Sequence, residues 1–417
     1  MNGATTSVEL RAHNRVRLLR AVHDCGATRT RSQLTRDLHL ARGTASVLVA
    51  GLAEDGLLHE EPAPGAARGR PTHVPGPHPR GPLALAVDVR EDAWELAACE
   101  LGGRVTVLDV RPHDGTPEGA LGPLGEAVRA HQARLGPRAV GVGVALPGPV
   151  RHGGLVDIPH LGWRSVDVPA LLAPDRGGAG APVPGGPLVG NDTALAALAE
   201  ARRGRLRGVR VGLHLHVDFD LGGVLVVDGR PLDGAGGSGA EFGHMPLTGG
   251  DRPCPCGATG CWSMDVGANA LLRRVGLAYG GGRGREQAEH VLATSEEAVA
   301  ANATALGRGI AALVNALDPE VVTLSGHGVE LYERASGQLL AACEPGLMAI
   351  RRDRPPRIAG SALGWRGSLL GAMESVFDEF LTPEGLDRWR ESHPDQAPDT
   401  PEPQNVTHST LKGRNPI

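Results

Sequence analysis

The 417-residue chain is poor in lysine and in aromatic side chains, and it lacks long apolar runs. Lys412 is its one lysine, and aromatic residues make up 3% of the sequence. No stretch approaches the roughly 20 apolar residues that span a bilayer, and no basic segment leads into an apolar run at the N-terminus. The sequence therefore predicts a cytoplasmic protein with no membrane partner.

Charge is unevenly distributed along the chain. The formal net charge is -5, but the first 50 residues carry three acids and eight arginines, namely Arg11, Arg15, Arg17, Arg20, Arg29, Arg31, Arg36 and Arg42. Only this end of the chain suits a polyanion such as nucleic acid. The length exceeds that of one compact core and predicts a small module followed by a larger, two-lobed body.

Apolar periodicity and capping residues predict a helix-turn-helix within residues 1–64. The expected elements are helices over 8–22, 31–38 and 42–55 and a short strand over 57–60. Thr30 or Ser32 is expected to cap the second helix. Residues 65–82 then form either a basic wing before a second strand or a linker. The N-terminal domain is therefore predicted to be an α+β winged helix-turn-helix.

In such a domain, the N-terminal end of the third helix reaches base edges in the major groove. Arg42 is expected to contact guanine, and Thr44 and Ser46 are expected to contact bases or phosphates. Arg68 and Arg70, in the loop after the first strand, are expected to enter the minor groove or to bind phosphate. The alternative is a helical module that contacts protein.

Residues 83–381 predict an α/β body of two similar lobes with a cleft between them. The first lobe is expected to begin with strands over 83–89, 94–100 and 104–110, a helix over 117–135 and a buried strand over 140–146. Strands followed by helices then recur, with elements over 192–203, 209–217, 223–227, 296–317 and 321–324. Residues 382–417 are polar and rich in proline, which predicts a disordered tail.

Three of the six cysteines fall within eight positions, Cys254, Cys256 and Cys261, and His244 precedes them. This spacing is too close for a disulfide framework and typical of a metal site. Three thiolates and one imidazole are the ligands of a closed, tetrahedral structural zinc site. The alternative is a set of unpaired buried thiols, as expected for Cys25, Cys99 and Cys343.

Besides the cysteine cluster, the chain contains five further motifs: Val142-Gly-Val-Ala-Leu-Pro-Gly-Pro149, Leu161-Gly-Trp163, Asn191-Asp192, Gly239-Ala-Glu241-Phe-Gly-His244 and Asp318-Pro-Glu-Val-Val-Thr-Leu-Ser-Gly326. Through these motifs, the chain resembles the repressor, open-reading-frame and kinase family, called the ROK family, over about residues 10–380. The resemblance implies an actin-like, or ribonuclease-H-like, pair of lobes. It also implies a winged helix in those members that are regulators.

The resemblance also implies a sugar or effector site. Asn191 and Asp192 match sugar-contacting positions, and Asp192 occupies the position of the general base in the family's kinases. Considered alone, an Asp at this place predicts a helix cap. Glu241 and His244 match two further sugar contacts, so His244 is expected to use one ring nitrogen for zinc and the other for the ligand. The alternative is that His244 binds only zinc and that Glu241 is a salt-bridge partner.

The chain departs from the family at its phosphate-binding loops. The first loop, usually rich in glycine, contains Arg90, Glu91 and Asp92, and the second contains Asp218 and Asp220. Carboxylates in such loops repel a polyphosphate. Ser325 replaces one of a pair of glycines in the adenosine motif, and Ser263 replaces a glutamate that usually follows the last cysteine by two residues.

These features predict a DNA-binding transcriptional regulator, most consistent with a repressor, that responds to a sugar or related metabolite and has no kinase activity. A homodimer or higher oligomer is expected, because two-fold symmetry matches an inverted-repeat operator. One alternative is an active ATP-dependent sugar kinase with an added DNA-binding module. Another, which Ser263 leaves open, is a regulator that responds to a different metabolite or to a protein.

Overall fold

The computed structural model describes residues 7–63, 73–173, 186–237, 239–277, 280 and 282–393. The N-terminal module consists of α1 (Ser7–Asp24), α2 (Arg31–Asp37), α3 (Arg42–Glu54) and an antiparallel hairpin of β1 (Leu58–Pro62) and β2 (His73–Pro77). Thr30 is the cap of α2 and forms a capping box with Gln33. The predicted helices and first strand are confirmed, whereas Arg68 and Arg70 lie outside the described residues.

The first lobe is built on a five-stranded sheet in the order β10-β6-β3-β4-β5. Its strands are β3 (Leu83–Val89), β4 (Ala93–Glu100), β5 (Val105–Pro112), β6 (Ala139–Leu146) and β10 (Leu188–Asn191). Its helices are α4 (Pro117–Leu135), α5 (Val168–Leu172) and α6 (Asp192–Arg203). A small antiparallel sheet adjoins the lobe and contains β7 (Val150–Arg151), β8 (Leu155–Ile158) and β9 (Trp163–Asp167).

The second lobe also contains a five-stranded sheet, in the order β13-β12-β11-β14-β15. Its strands are β11 (Val211–Val217), β12 (Leu221–Val227), β13 (Arg230–Pro231), β14 (Val321–Gly326) and β15 (Arg357–Gly360). Its helices are α7 (Ala268–Arg274), α8 (Arg285–Thr294), α9 (Glu296–Leu317), α10 (His327–Cys343) and α11 (Ala349–Arg352).

The two sheets have the same topology. In each, a central strand (β3 or β11) pairs antiparallel with the strand that follows it and parallel with a strand that comes after a helix (β6 or β14). In each, a further parallel strand, β10 or β15, closes the edge. The predicted α/β architecture of two similar lobes is therefore confirmed.

The C-terminal part of the chain returns to the first lobe. Helix α12 (Gly367–Phe380) packs on α6, β3 and β6. Gly371 allows this close approach, because a Cβ atom at this position would overlap the backbone of Leu195 in α6. Among the described helices, none combines the length and the apolar character required to cross a bilayer.

The prediction of a disordered tail from residue 382 is wrong for its first part. Residues Pro383–Ser392 form α13, with Thr382 as its cap. This short helix is amphipathic: its polar residues face solvent, while Leu386 and Trp389 are buried against the N-terminal module. The Trp389 indole donates a hydrogen bond to the Asp55 carbonyl oxygen, over 2.7 Å. Residues 394–417 lie outside the described residues.

The N-terminal module and the first lobe share one hydrophobic core. Leu18, Val22 and Leu52 of the module belong to the same buried cluster as Phe377 and Trp389 of the C-terminal helices. The module is therefore packed directly on the body, and its orientation depends on α12 and α13.

Candidate effector cleft, metal cluster and DNA-binding face

The predicted sugar-contacting residues lie where β10 passes into α6. Asn191 is the cap of α6, and its Oδ1 accepts a hydrogen bond from the Ala194 amide over 2.9 Å. Its Nδ2 donates to the Gly148 carbonyl oxygen, also over 2.9 Å. Asp192 is the first residue of the helix and accepts hydrogen bonds from the amide and hydroxyl of Thr193. The cap is thus Asn191, which leaves one oxygen of Asp192 available for other contacts.

Asn191 and Glu241 line a common cleft that is open to solvent. Its other lining residues include Pro149, Thr193, Gly222, Gly223 and Asp233. Burial raises the pKa of Asp192 to about 7, assisted by the negative charges of Glu91 and Asp218. Burial and the charge of Asp192 likewise raise the pKa of Glu241 to about 7. Glu241 in the lining and Asp192, next to the lining residue Asn191, are therefore two carboxyl groups at this end of the cleft with a pKa near neutral pH, and each can donate a hydrogen bond when neutral or accept one when ionised.

His244 and the three clustered cysteines converge in space. Each of the four side chains offers one donor atom, and all four atoms lie within 4.8 Å of one another. The Cys256 and Cys261 sulfurs are 3.7 Å apart, and Cys254 Sγ is 3.6 Å from His244 Nδ1. Sulfurs around one tetrahedral zinc ion, with bonds of about 2.3 Å, would be about 3.8 Å apart. The four residues therefore have the donor atoms and the spacing to hold a metal ion.

His244 lies between this cluster and the cleft. Its Nδ1 faces Cys254, and its Nε2 is 4.0 Å from the Glu241 carboxylate. Ser263, which follows the last cysteine by two residues, is turned away from the cleft. It is buried, and its hydroxyl donates to the Gly243 carbonyl oxygen over 2.9 Å. A side chain in this position supports the backbone beside His244 and does not reach the cleft.

The two loops that the resemblance assigns to phosphate binding are occupied by an ion cluster that was not predicted. Arg285, the first residue of α8, donates to Asp92 in the first loop over 3.0 Å and to Asp218 in the second over 2.9 Å. Arg90, the basic residue of the first loop, makes neither contact. No local sequence signal could have identified Arg285, because its partners lie 193 and 67 positions away.

A row of histidines, also not predicted, lies on β11 and at the start of α10, close to the second loop. His214 is buried and lies 2.8 Å from Thr323 Oγ1 and 3.0 Å from Ser325 Oγ. His216 Nδ1 is 2.8 Å from the same Ser325 hydroxyl. Burial lowers the pKa of His214 to about 3 and that of His327 to about 4. Ser325, in place of a glycine, is therefore committed to an internal hydrogen-bond network.

The first residues of α3 form an exposed face. Arg42, Thr44 and Ser46 are exposed, whereas Ala45 and Leu48 are buried in the module. The cap residue, Ala41, has no side-chain hydrogen bond to the helix. The first backbone amides of α3 therefore have no side-chain acceptor, and they can donate hydrogen bonds to an anionic group such as a phosphate.

A family model described as ROK family matches residues 85–378, which is more than half of the chain. The chain belongs to the ROK family. Its relatives include regulators and kinases. It is 27% identical to the transcriptional regulator Mb0495 of Mycobacterium bovis over 388 residues, which cover 85% of each protein. It is 28% identical to a kanosamine kinase of Amycolatopsis mediterranei over 269 residues, which cover 61% of this chain and 83% of the kinase.

Other relatives are matched over a smaller share of their length. Alignments to glucokinases of Halalkalibacterium halodurans and Aeropyrum pernix span 61% and 62% of those enzymes. Among solved structures, the fold is similar to that of a ROK family transcriptional regulator described as a homologue of the E. coli MLC protein. The TM-score is 0.67 at 20% identity, and the match covers 91% of this chain and 98% of that one.

The raised pKa of Asp192 predicts a pH-dependent effect of Asp192→Asn on stability. An unfolded Asp ionises near pH 4, so between about pH 4 and pH 7 the folded chain holds a proton that the unfolded chain releases, and stability falls as pH rises. Asn removes this penalty. We expect the melting temperature of the variant to exceed that of the wild type by more at about pH 8 than at about pH 5.

Differential scanning fluorimetry at both pH values measures this difference, with Asp387→Asn on the exposed side of α13 as the control. An equal difference at both pH values would contradict the assignment of a raised pKa to Asp192.

Proposed function

We propose that the chain is a DNA-binding transcriptional regulator that acts as a repressor and whose ROK body binds a sugar or related metabolite. The observation that carries this proposal is the exposed end of α3, with Arg42, Thr44 and Ser46, in a helix-turn-helix module packed directly on that body. Regulator relatives aligned along most of their length support it. The protein is expected to act as a homodimer or higher oligomer on an inverted-repeat operator.

The proposed effector site contains Asn191, Asp192, Glu241 and His244. A sugar presents several hydroxyl groups, and the carboxyl and amide groups of this cleft supply hydrogen-bond donors and acceptors for them. Relatives such as the xylose repressor of Bacillus subtilis and the kanosamine kinase support a sugar-like ligand. Because Ser263 is turned away from the cleft, one sugar contact usual in the family would be missing.

We further propose that His244, Cys254, Cys256 and Cys261 hold a structural zinc ion. Four donor atoms leave no open coordination position, so the metal would fix the loop and not take part in chemistry. Zinc on Nδ1 would also set the orientation of the His244 ring, whose Nε2 faces Glu241.

Kinase activity is proposed to be absent, with no catalytic residue assigned. Phosphoryl transfer requires a positioned triphosphate and its metal, so a base at Asp192 is not sufficient. In this chain Asp92 and Asp218 stand in the two loops, and the Arg285 guanidinium fills the space between them. A nucleotide would have to displace this ion cluster. The kinase relatives keep an ATP-dependent sugar kinase as the alternative function.

The first test is DNA binding by the full chain, with fragments selected from genomic DNA by the protein itself. Arg42→Ala should weaken binding to the selected fragment by about 1–3 kcal/mol, because a donor to a base edge is lost. Electrophoretic mobility shift at fixed salt measures this loss.

Arg11→Ala serves as a matched control for DNA binding, since Arg11 is an exposed arginine of the same module on a different helix. Selection of no fragment by the wild-type chain, or equal effects of the two substitutions, would contradict the assignment of α3 to DNA recognition.

The second test concerns the metal. Cys256→Ser should remove stoichiometric zinc and loosen the loop that carries His244, because structural zinc contributes folding energy directly. Elemental analysis and hydrogen exchange of this loop measure the two effects. Cys25→Ser, which changes a thiol outside the cluster, should leave the zinc content unchanged. Wild-type protein purified without chelators but lacking zinc would rule out the site.

The third test is a coupled kinase assay with ATP and Mg2+ across hexoses and aminosugars. We expect no turnover above that of Asp192→Asn, since the ion cluster at the loops opposes binding of a polyphosphate. A clear rate that depends on Asp192 would instead establish the kinase alternative.

A further inference from the structure

All three nitrogens of the Arg285 guanidinium group contact the carboxylates of Asp92 and Asp218. Its Nη1 and Nη2 lie 2.9 Å and 3.3 Å from the two oxygens of Asp218. Its Nε and Nη2 lie 3.0 Å and 3.4 Å from the two oxygens of Asp92. The group is only 8% exposed and lies 4.8 Å from the centre of the Phe219 ring. Two forked contacts by one guanidinium fix the distance between the carboxylates as well as their charge.

The two carboxylates belong to different lobes. Asp92 is in the turn between β3 and β4 of the first lobe, and Asp218 is in the turn between β11 and β12 of the second. The segment just before α8 also approaches the first lobe, because a Cβ atom at Gly282 would overlap the Glu91 side chain. Arg285 and its neighbours therefore connect the two lobes across the cleft.

The other titratable groups around Arg285 make the site strongly acidic without it. Glu91 Oε2 lies 4.0 Å from the guanidinium. His160 lies 3.5 Å from Glu91 and 3.7 Å from Asp220, and His327 Nε2 lies 3.8 Å from Asp218. Although burial alone raises the pKa of Asp218, the charge of Arg285 lowers it below its usual value. Loss of the guanidinium would leave the largely buried Asp218 and Glu91 and the more exposed Asp92 close together without this counter-charge, which is unfavourable.

We infer that Arg285 is an interlobe clasp that holds this half of the cleft closed between Asp92 and Asp218. It lies between the two loops that would receive the phosphates of a nucleotide in a kinase of the family. Closure at this place is therefore provided by the protein's own ion pairs and needs no nucleotide. The clasp does not depend on DNA binding or on the identity of the effector.

Hydrogen–deuterium exchange of the full chain tests the clasp, because it reports opening of each loop separately. Arg285→Met keeps an unbranched side chain but removes the charge. We expect amides of residues 88–92 and 218–223 to exchange at least about tenfold faster than in the wild type. Asp92→Ala removes only the contact with the first lobe and should accelerate exchange of residues 88–92 to a similar degree.

The double variant should exchange no faster than Arg285→Met alone, since both changes break the same contact. Arg274→Met, at an exposed arginine of α7, is the matched control and should leave both loops unchanged. If Arg285→Met does not fold, as judged by circular dichroism, Asp92→Ala alone decides the question. The clasp is refuted if Asp92→Ala leaves exchange of residues 88–92 at the wild-type rate, because Arg285 would then stabilise only its own lobe.

Discussion

The packing of α12 on the first lobe is the constraint on which the other sites depend. Its first turn supplies Ser368, whose hydroxyl donates to Asp88 at the end of β3, over 2.6 Å. Its middle supplies Glu374, which is fully buried and pairs with His23 of the N-terminal module and with Arg203 of α6. Although burial raises the pKa of Glu374, these two partners lower it to about 2. A buried carboxylate held in this way keeps the module and the first lobe in one relative orientation, because breaking the contact would leave an unpaired buried charge.

The two halves of the cleft differ in how their carboxyl groups are stabilised. Near the first and second loops, Arg285 pairs with Asp92 and Asp218, and its charge lowers the pKa of Asp218 below its usual value. Near the start of α6, Asp192 and Glu241 are partly buried, and burial raises the pKa of both, with the charge of Glu91 contributing at Asp192 and the charge of Asp192 contributing at Glu241. The carboxylates of the first half are thus paired without a ligand. The carboxyl groups of the second half would be stabilised by a ligand that forms hydrogen bonds with them. This asymmetry is consistent with a body that senses a small molecule and does not transfer phosphate.

The sequence predicted those features that depend on local patterns. The helix-turn-helix, the strands of the first lobe and the convergence of His244 with the three clustered cysteines follow from periodicity, capping and spacing. Features that depend on distant partners could not be predicted, and Arg285 is the clearest example. The charge of the N-terminal module shows the same limit, because four of the eight arginines in the first 50 residues, Arg15, Arg20, Arg29 and Arg31, form ion pairs with acids. A count of arginines therefore overstated the positive charge available for DNA. The tail prediction failed at α13 because composition was considered without the spacing of Leu386 and Trp389.

Helix α6 connects the proposed effector site with the N-terminal module. Asn191 and Asp192 stand at its start, and Arg203 at its end contacts His23 and Glu374. Twelve residues of helix span about 18 Å, and the tight contact at Gly371 leaves little freedom for α6 to move without α12. A ligand that draws the start of α6 toward the cleft would therefore shift its end at the junction with α1. Under the proposed function, this rigid connection lets effector binding change the orientation of α3, and by reciprocity lets operator DNA change the affinity for the effector.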